Sequence, residues 1–290
     1  MKPILATALL LVALNPPLLS TAFSQQDTTS EKPGRLILRD GSELIGRVLT
    51  EDSVSITFRT VSNISMTIPR NQVKTIERLS GEIIGGEFVR NDPNHTRLLF
   101  SPTARSLKAG QGYFSAYEIF FPLLAVGIAD FMTLAGGVSL LPGADAQLFY
   151  LAPKITPLQV DNLSLAGGVL YMGITSGGTK GFGIIYGVTT YGTQRASVTG
   201  GLGWGFYGDE TADRPVIMVG GELRASNSIK FITENWFPPG SDVALLSFGI
   251  RFFGESLAAD LGFWYPAGSR TSGFPFLPWL GFAYNFGVAR

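Results

Sequence analysis

The stretch GFGIIYGVTTYGTQRASVTGGLGWGFY, residues 181–207, decides the fold. In its first half Phe182, Ile184, Tyr186 and Val188 share one face, and mostly small or polar residues share the other. After the turn at residues 192–194 one face holds Ala196, Val198, Leu202, Trp204 and Phe206, and the other holds Ser197, Thr199, Gly201, Gly203 and Gly205. Alternation at period 2 separates the two faces of a β-strand. Segments of about ten residues with this alternation are typical of membrane-spanning β-strands.

The same pattern continues through the C-terminal 180 residues, 111–290. It predicts strands near 112–121, 122–129, 132–141, 146–155, 162–174, 180–191, 195–207, 214–224, 228–238, 243–253, 256–265 and 275–286. Twelve is an even number, as single-chain bacterial barrels have, although ten strands also fit because the first two boundaries are poorly marked. We therefore expect an all-β fold, an antiparallel transmembrane barrel with its apolar side facing lipid.

The segment 119–141 offers a competing interpretation, because its 23 mostly apolar residues are long enough for a transmembrane helix. Asp130 would then lie at the centre of the bilayer, where a carboxylate is costly. Pro122 and the pair Gly136-Gly137 also disfavour a helix. A strand hairpin places Asp130 in a solvated turn, so the barrel is the better prediction.

The N-terminus has the features of a secretory signal peptide. Lys2 is followed by an apolar stretch from Ile4 to Leu14, and small residues near Ser24 suit cleavage. We therefore assign 1–24 to a signal peptide. The chain has no cysteine, which excludes disulfides, thiolate metal sites and a cysteine nucleophile. Without Lys2 the chain has 21 basic and 22 acidic residues. This near balance predicts no nucleic-acid partner.

Charge divides the exported chain into two parts. Residues 25–110 carry 22 charged side chains in 86 positions, whereas 111–290 carry 21 in 180 positions. We expect a small periplasmic β domain at 25–80, a linker at 81–110 that is rich in turn residues, and the barrel at 111–290.

The N-terminal domain is predicted to have five short strands, near 35–39, 43–49, 53–58, 64–68 and 73–77, with a helical turn at 69–72. Asp40-Gly41 marks a tight turn, and Gly46 bends the second strand. The pattern DGS-x-x-x-G-x-V over residues 40–48 resembles SH3-like and Lsm-like barrels. That resemblance implies a binding or docking module for the cell wall or a periplasmic protein. The alternative is a soluble plug or extension with no ligand of its own.

The C-terminal part resembles small outer-membrane β-barrel proteins of Gram-negative bacteria. The resemblance covers 111–286, and its last strand carries Gly281, Tyr284 and Phe286 at the spacing of a barrel-assembly signal. It implies outer-membrane localisation, contact with outer-membrane lipid and insertion by the barrel assembly machinery. It implies an architecture and no particular solute.

Charged residues in the predicted strands lie opposite the apolar face, so they should point into the lumen. The predicted lumen charges are Glu118, Lys154, Glu222, Arg224, Lys230, Glu234, Arg251 and Asp260. Four acids and four bases indicate either a polar, narrow pore or an ion-pair network that fills the barrel. The balance of sign favours the network, since a selective channel more often shows a ring of one sign.

Enzymatic activity is not expected. The catalytic sites of enzymatic barrels generally need a histidine, and the single histidine, His95, precedes the first barrel strand. The spacing of His, Asp and Glu predicts no metal or other cofactor. We expect a passive channel for small solutes or a structural envelope protein. The alternative is a membrane-anchored adaptor whose N-terminal domain binds a periplasmic partner or the cell wall.

Overall fold

A computed structural model describes residues 33–268 and 276–287. The predicted signal peptide, 1–24, lies outside the described residues. The N-terminal domain is an antiparallel sheet of five strands in the order β4-β3-β2-β1-β5. Its strands are β1 (Gly34–Leu38), β2 (Glu43–Glu51), β3 (Ser55–Thr60), β4 (Ser65–Pro69) and β5 (Val73–Arg78), with the 3-10 helix Arg70–Gln72 before β5. All five lie within two residues of their predicted positions.

The N-terminal sheet buries one face. Its core consists of Leu36, Ile56, Phe58, Ile68 and Val73. Gly46 in β2 is directly opposite Thr60, and a Cβ there would overlap the carbonyl oxygen of Arg59. The close approach explains why glycine stands at this bend. The likeness of this domain to SH3-like proteins stays a prediction.

After this sheet come a small hairpin and then the barrel. The hairpin strands are β6 (Gly81–Ile84) and β7 (Glu87–Arg90). The barrel strands are β8 (Gly112–Tyr117), β9 (Phe121–Ala129), β10 (Met132–Val138), β11 (Leu148–Val160), β12 (Leu163–Ile174), β13 (Phe182–Gly192), β14 (Ala196–Tyr207), β16 (Val216–Ser226), β17 (Ile229–Phe237), β18 (Ala244–Phe253), β19 (Leu257–Ala267) and β20 (Leu277–Phe286). A two-residue strand, β15 (Glu210–Thr211), pairs antiparallel with Phe206 and Tyr207 at the end of β14.

These twelve strands form a closed antiparallel barrel. Consecutive strands pair around the whole circumference, and β8 pairs with β20 to join the first strand to the last. Closure leaves no sheet edge unpaired. The outward side chains are largely apolar and solvent-accessible, for example Leu165, Ile217 and Phe263 at 43–51% exposure. The prediction of an all-β fold with a twelve-stranded barrel is confirmed.

The alternative helix at 119–141 is absent. Its residues form β9 and β10, and Asp130 lies in the two-residue turn between them, as the hairpin interpretation predicted. The Asp130 carboxylate accepts a hydrogen bond from the backbone N–H of Ala109 at 2.9 Å. None of the helices formed by the described residues has the length and hydrophobicity to cross a membrane.

The two ends of the barrel differ. At one end, called the turn end, short turns such as 130–131, 161–162 and 254–256 connect the strands. At the other, called the loop end, several connections are longer, such as 139–147 and 208–215. The β6–β7 hairpin lies against the turn end, where Arg90 Nε contacts the Glu255 carboxylate at 3.0 Å.

Candidate functional site

Residues 91–107 lie inside the barrel. We expected 81–110 to be a linker, but its first part forms the β6–β7 hairpin and its second part fills the lumen. The inserted segment, called the plug, contacts strands on all sides, including Thr133 on β10, Thr190 on β13 and Asn285 on β20. It is ordered there because barrel side chains satisfy its polar groups and supply its ion pairs.

The middle of the plug is a tight hairpin. The N–H of Thr103 donates to the carbonyl of Thr96 at 2.9 Å, and the N–H of Leu98 donates to the carbonyl of Ser101 at 2.8 Å. Phe100 forms the tip, which points toward the loop end. Its ring packs edge-on against Tyr117 and Trp279, each with a centroid distance of 6.3 Å.

Asp92 anchors the first part of the plug. Its carboxylate lies 3.1 Å from both Lys230 Nζ and Arg251 Nη1, and none of these three side chains is more than 1% exposed. Burial alone would raise the pKa of the Asp92 carboxyl, but Lys230 and Arg251 together hold it well below its ordinary value. Asp92 is therefore a buried carboxylate at neutral pH.

Two further acids extend the network through the lumen. Glu222 lies 3.4 Å from Lys230 and 3.0 Å from plug residue Arg105. Asp260 lies 2.6 Å from Arg251 and also pairs with plug residue Arg97. Ion pairs therefore connect the plug to four consecutive strands of the barrel wall, β16, β17, β18 and β19.

The structure places six of the eight predicted lumen charges in the interior. Each is at most 5% exposed: Lys154, Glu222, Lys230, Glu234, Arg251 and Asp260. Arg224 instead lies at the turn end, where Nη2 donates to the carbonyl of Arg90 at 2.7 Å. Glu118 lies in the β8–β9 turn at the loop end and accepts the N–H of Leu280 at 2.8 Å. Both were misplaced because parity gives the face of a strand residue but not its depth.

Two of the interior charges interact with the plug backbone. Lys154 Nζ donates to the carbonyls of Thr96, Thr103 and Arg105 at 3.3, 2.9 and 2.6 Å. Glu234 accepts the N–H groups of Phe100 and Ser101, both at 2.9 Å, and has no ion-pair partner among the described residues. These contacts hold the plug hairpin from two sides.

The lumen also has an apolar wall. Leu98 and Leu99 of the plug pack with buried Ala166, Val188, Met218, Ile232 and Trp264. The β13 face that contains Tyr186 and Val188 therefore points inward, whereas Ile185 points outward at 50% exposure. We predicted that the apolar face of each strand points toward lipid. That prediction is wrong for β13. The leucines of the plug pack against these inward apolar side chains and shield them from water.

Sequence reasoning missed the plug residues Asp92, Arg97 and Arg105. They occur in a segment without strand periodicity, so neither pattern nor parity indicated a buried position. His95 also belongs to the plug, and its Nδ1 lies 2.9 Å from the carbonyl of Asp92. Burial and the nearby Arg105 lower the pKa of His95 to about 4. The one signal available was the density of charged, turn-forming residues directly before a barrel.

The three residues of the predicted barrel-assembly signal lie on the last strand, β20. Tyr284 and Phe286 point outward, at 53% and 38% exposure. Gly281 faces inward, where a Cβ would lie 3.4 Å from the Asp260 carboxylate. Within the described ranges, no group of three or more His, Asp or Glu residues could hold a metal ion.

These observations define a class of protein: a closed twelve-stranded β-barrel with an apolar exterior and a plugged, charged lumen. No family model matches the chain, and the comparison with curated proteins also finds no match.

Several solved structures resemble the barrel. The KdgM porin in complex with disordered oligogalacturonate has a TM-score of 0.43 and 8% identity, over 60% of this chain and 95% of that chain. The NanC porin has a TM-score of 0.40 and 7% identity, over 60% and 97%. A loop L8 deletion mutant of OmpT, an outer membrane protein of Vibrio cholerae, has a TM-score of 0.34 and 10% identity, over 88% and 96%. At these scores the likenesses say nothing about what this chain binds or transports.

Proposed function

We propose that this chain is a non-enzymatic outer-membrane protein that forms a channel for small solutes, and that the plug holds the channel closed. The apolar exterior of the barrel supports the membrane location, because only lipid covers such a surface favourably. One observation carries the channel proposal: the lumen is filled by a separate segment of chain rather than by the side chains of the wall alone.

The remaining partners follow from this proposal. Outer-membrane lipid covers the barrel, and the barrel assembly machinery inserts it through the signal at Gly281, Tyr284 and Phe286. The N-terminal domain lies at the turn end, which we assign to the periplasm. There the domain can bind a periplasmic protein or the cell wall.

The plug gives a specific reason why the channel is closed. Its buried ion pairs fill the cross-section near the turn end, and its hairpin fills the cross-section above them. Separating a buried pair leaves uncompensated charge and costs about 3–5 kcal/mol. Opening therefore requires displacement of the plug rather than rotation of one side chain.

Conductance in planar bilayers tests the proposal. The wild type is compared with a variant in which residues 92–107 are replaced by a Gly/Ser linker of equal length. We expect low conductance from the wild type and larger, stable steps from the variant. Equally low conductance from a folded linker variant would contradict the channel and favour a structural envelope protein.

A cross-link provides the matched control, since the chain has no native cysteine. Asn94 Oδ1 on the plug lies 3.0 Å from Asn285 Nδ2 on the wall. The pair Asn94→Cys and Asn285→Cys, joined by a short reducible cross-linker, should abolish any openings until a reductant is added. Either single variant should be insensitive to the reagent. A separate variant lacks residues 25–80. It should conduct like the wild type if the protein is a channel. If the wild type does not conduct and the deletion only abolishes binding of a periplasmic partner, the adaptor is favoured.

A further inference from the structure

Arg97 has a buried guanidinium edge without a protein partner. Its side chain is 3% exposed. Nη1 donates to the carbonyls of Leu98 and Leu99 at 3.0 Å and pairs with Asp260. Nε and Nη2 have no hydrogen-bond partner. An unmade buried hydrogen bond costs about 1–3 kcal/mol and more for a charged group, so a complementary ligand would be bound favourably here.

The free edge has the geometry of an oxyanion receptor. The N–H of Nε and one N–H of Nη2 point the same way along one side of the guanidinium, the arrangement that accepts two oxygens of a carboxylate or phosphate. The guanidinium carbon lies 5.2 Å from the ring centroid of Tyr117, within range of a cation–π contact. This contact restrains the plane of the fork before any ligand arrives.

Arg97 borders a cavity of about 100 Å³ inside the lumen. Its lining is mostly apolar, for example Leu123 and Leu170, and also includes the polar residues Thr96, Thr133 and Lys154. At about 30 Å³ for each water, this volume equals roughly three waters, enough for an anion of a few heavy atoms. Phe100 also borders the cavity and is 45% exposed, which places the entrance at the loop end.

The charges of the lumen favour an anion. The described buried acids are Asp92, Glu222, Glu234 and Asp260, and the buried bases are Arg97, Arg105, Lys154, Lys230 and Arg251. Lys154 donates to three carbonyls, which requires the three N–H groups of an ammonium. The described buried side chains therefore include one more base than acid, and a bound anion would offset positive charge in a region where unpaired charge is costly.

We propose that this cavity binds one small oxyanion, a carboxylate or a phosphate, through Nε and Nη2 of Arg97. The inference goes beyond the channel proposal and does not depend on conduction. If only the channel proposal is wrong, the detergent-purified protein binds the anion but does not conduct. If only the anion site is wrong, the protein conducts but does not bind the anion.

Isothermal titration of the full-length protein with acetate and with inorganic phosphate tests the site, with chloride at matched ionic strength as the monatomic comparison. We expect saturable binding of one anion per chain for acetate, phosphate or both, and weaker binding of chloride. Arg97→Lys keeps the charge opposite Asp260 but removes the fork, so it should raise Kd at least tenfold. Acetate alone or phosphate alone would identify the class of ligand.

Arg105→Lys is the matched control. Arg105 is another plug arginine with a mostly buried side chain, 11% exposed; it pairs with Glu222, and its Nη2 donates to the carbonyls of Gly192 and Thr193. It should change Kd less than twofold. Saturable binding that survives Arg97→Lys would overturn the proposal, as would the absence of saturable binding to the wild type. If Arg97→Lys does not fold, wild-type crystals with selenate decide: an anomalous peak beside Arg97 supports the site, and its absence refutes it.

Discussion

Replacing Arg251 with methionine should release the plug while the barrel stays closed. Arg251 connects wall and plug: it lies 2.6 Å from Asp260 on β19, 3.1 Å from Asp92 on the plug, and donates to the plug carbonyl of Leu98 at 2.6 Å. Methionine has a similar length but none of these donors. Asp92 would retain Lys230, and Asp260 would retain Arg97.

The size of the effect follows from burial. Arg251 is fully buried, and removal of one partner from a buried pair costs about 3–5 kcal/mol. The inter-strand hydrogen bonds that close the barrel are untouched, so the loss should fall on plug docking. At about 1.4 kcal/mol for each tenfold change, amide exchange in residues 92–107 should accelerate roughly 100- to 4,000-fold.

Hydrogen exchange by mass spectrometry measures this acceleration peptide by peptide. Arg195→Met is the matched control, because the Arg195–Glu87 pair, at 3.3 Å, is 48% and 75% exposed. Such surface pairs contribute about 0–1 kcal/mol, so plug exchange should change less than about fivefold. Plug exchange in Arg251→Met that stays within fivefold of wild type would refute the view that buried charges hold the plug.

Three further predictions follow from the same contacts. Unboiled protein should migrate faster than boiled protein on a denaturing gel, because a closed barrel resists detergent; identical migration would argue against closure. The pKa of His95 is held near 4 by burial and Arg105, so its contribution to plug stability is complete above about pH 6.5 and lost as pH falls toward 4. Plug exchange, corrected for intrinsic rates, should accelerate over that window, and His95→Asn should flatten the change. Glu234→Gln replaces one carboxylate oxygen with an NH2 donor, which must oppose either the N–H groups of Phe100 and Ser101 or the indole N–H of Trp236. A lost buried hydrogen bond costs about 1–3 kcal/mol, so either amide exchange at Phe100 and Ser101 should accelerate or Trp236 fluorescence should shift; no change at either probe would contradict the prediction.

The strands of the barrel could be predicted because each obeys a local rule. Alternation depends only on neighbouring positions, so twelve segments were found, and Asp130, together with Pro122 and Gly136-Gly137, was enough to choose a hairpin over a helix. Parity predicted that Glu222, Lys230 and Arg251 point inward, and the structure buries all three. The SH3-like character of the N-terminal domain and its role stay predictions.

The plug could not be predicted because its order comes from elsewhere in the chain. Lys154 is satisfied by three backbone carbonyls of the plug, and Glu234 by backbone and side-chain donors, none of which has a sequence signature. The inward orientation of the apolar face of β13 also depends on the plug. Val188 faces inward because Leu98 and Leu99 cover it, and those leucines lie about ninety positions earlier in the sequence.

The path of the plug has a consequence for biogenesis. The segment enters the barrel beside Arg90, which contacts Asn227, and leaves beside Ala109, which contacts Asp130, so both ends pass through the turn end. Within the described residues the segment is therefore a loop whose two ends lie on the same side of the barrel. Strands β8 and β20 can therefore pair and close the barrel before the plug enters it. The plug can also leave the lumen again without breaking the hydrogen bonds between β8 and β20. Assembly of the barrel and opening of the proposed channel can thus use the same movement in opposite directions.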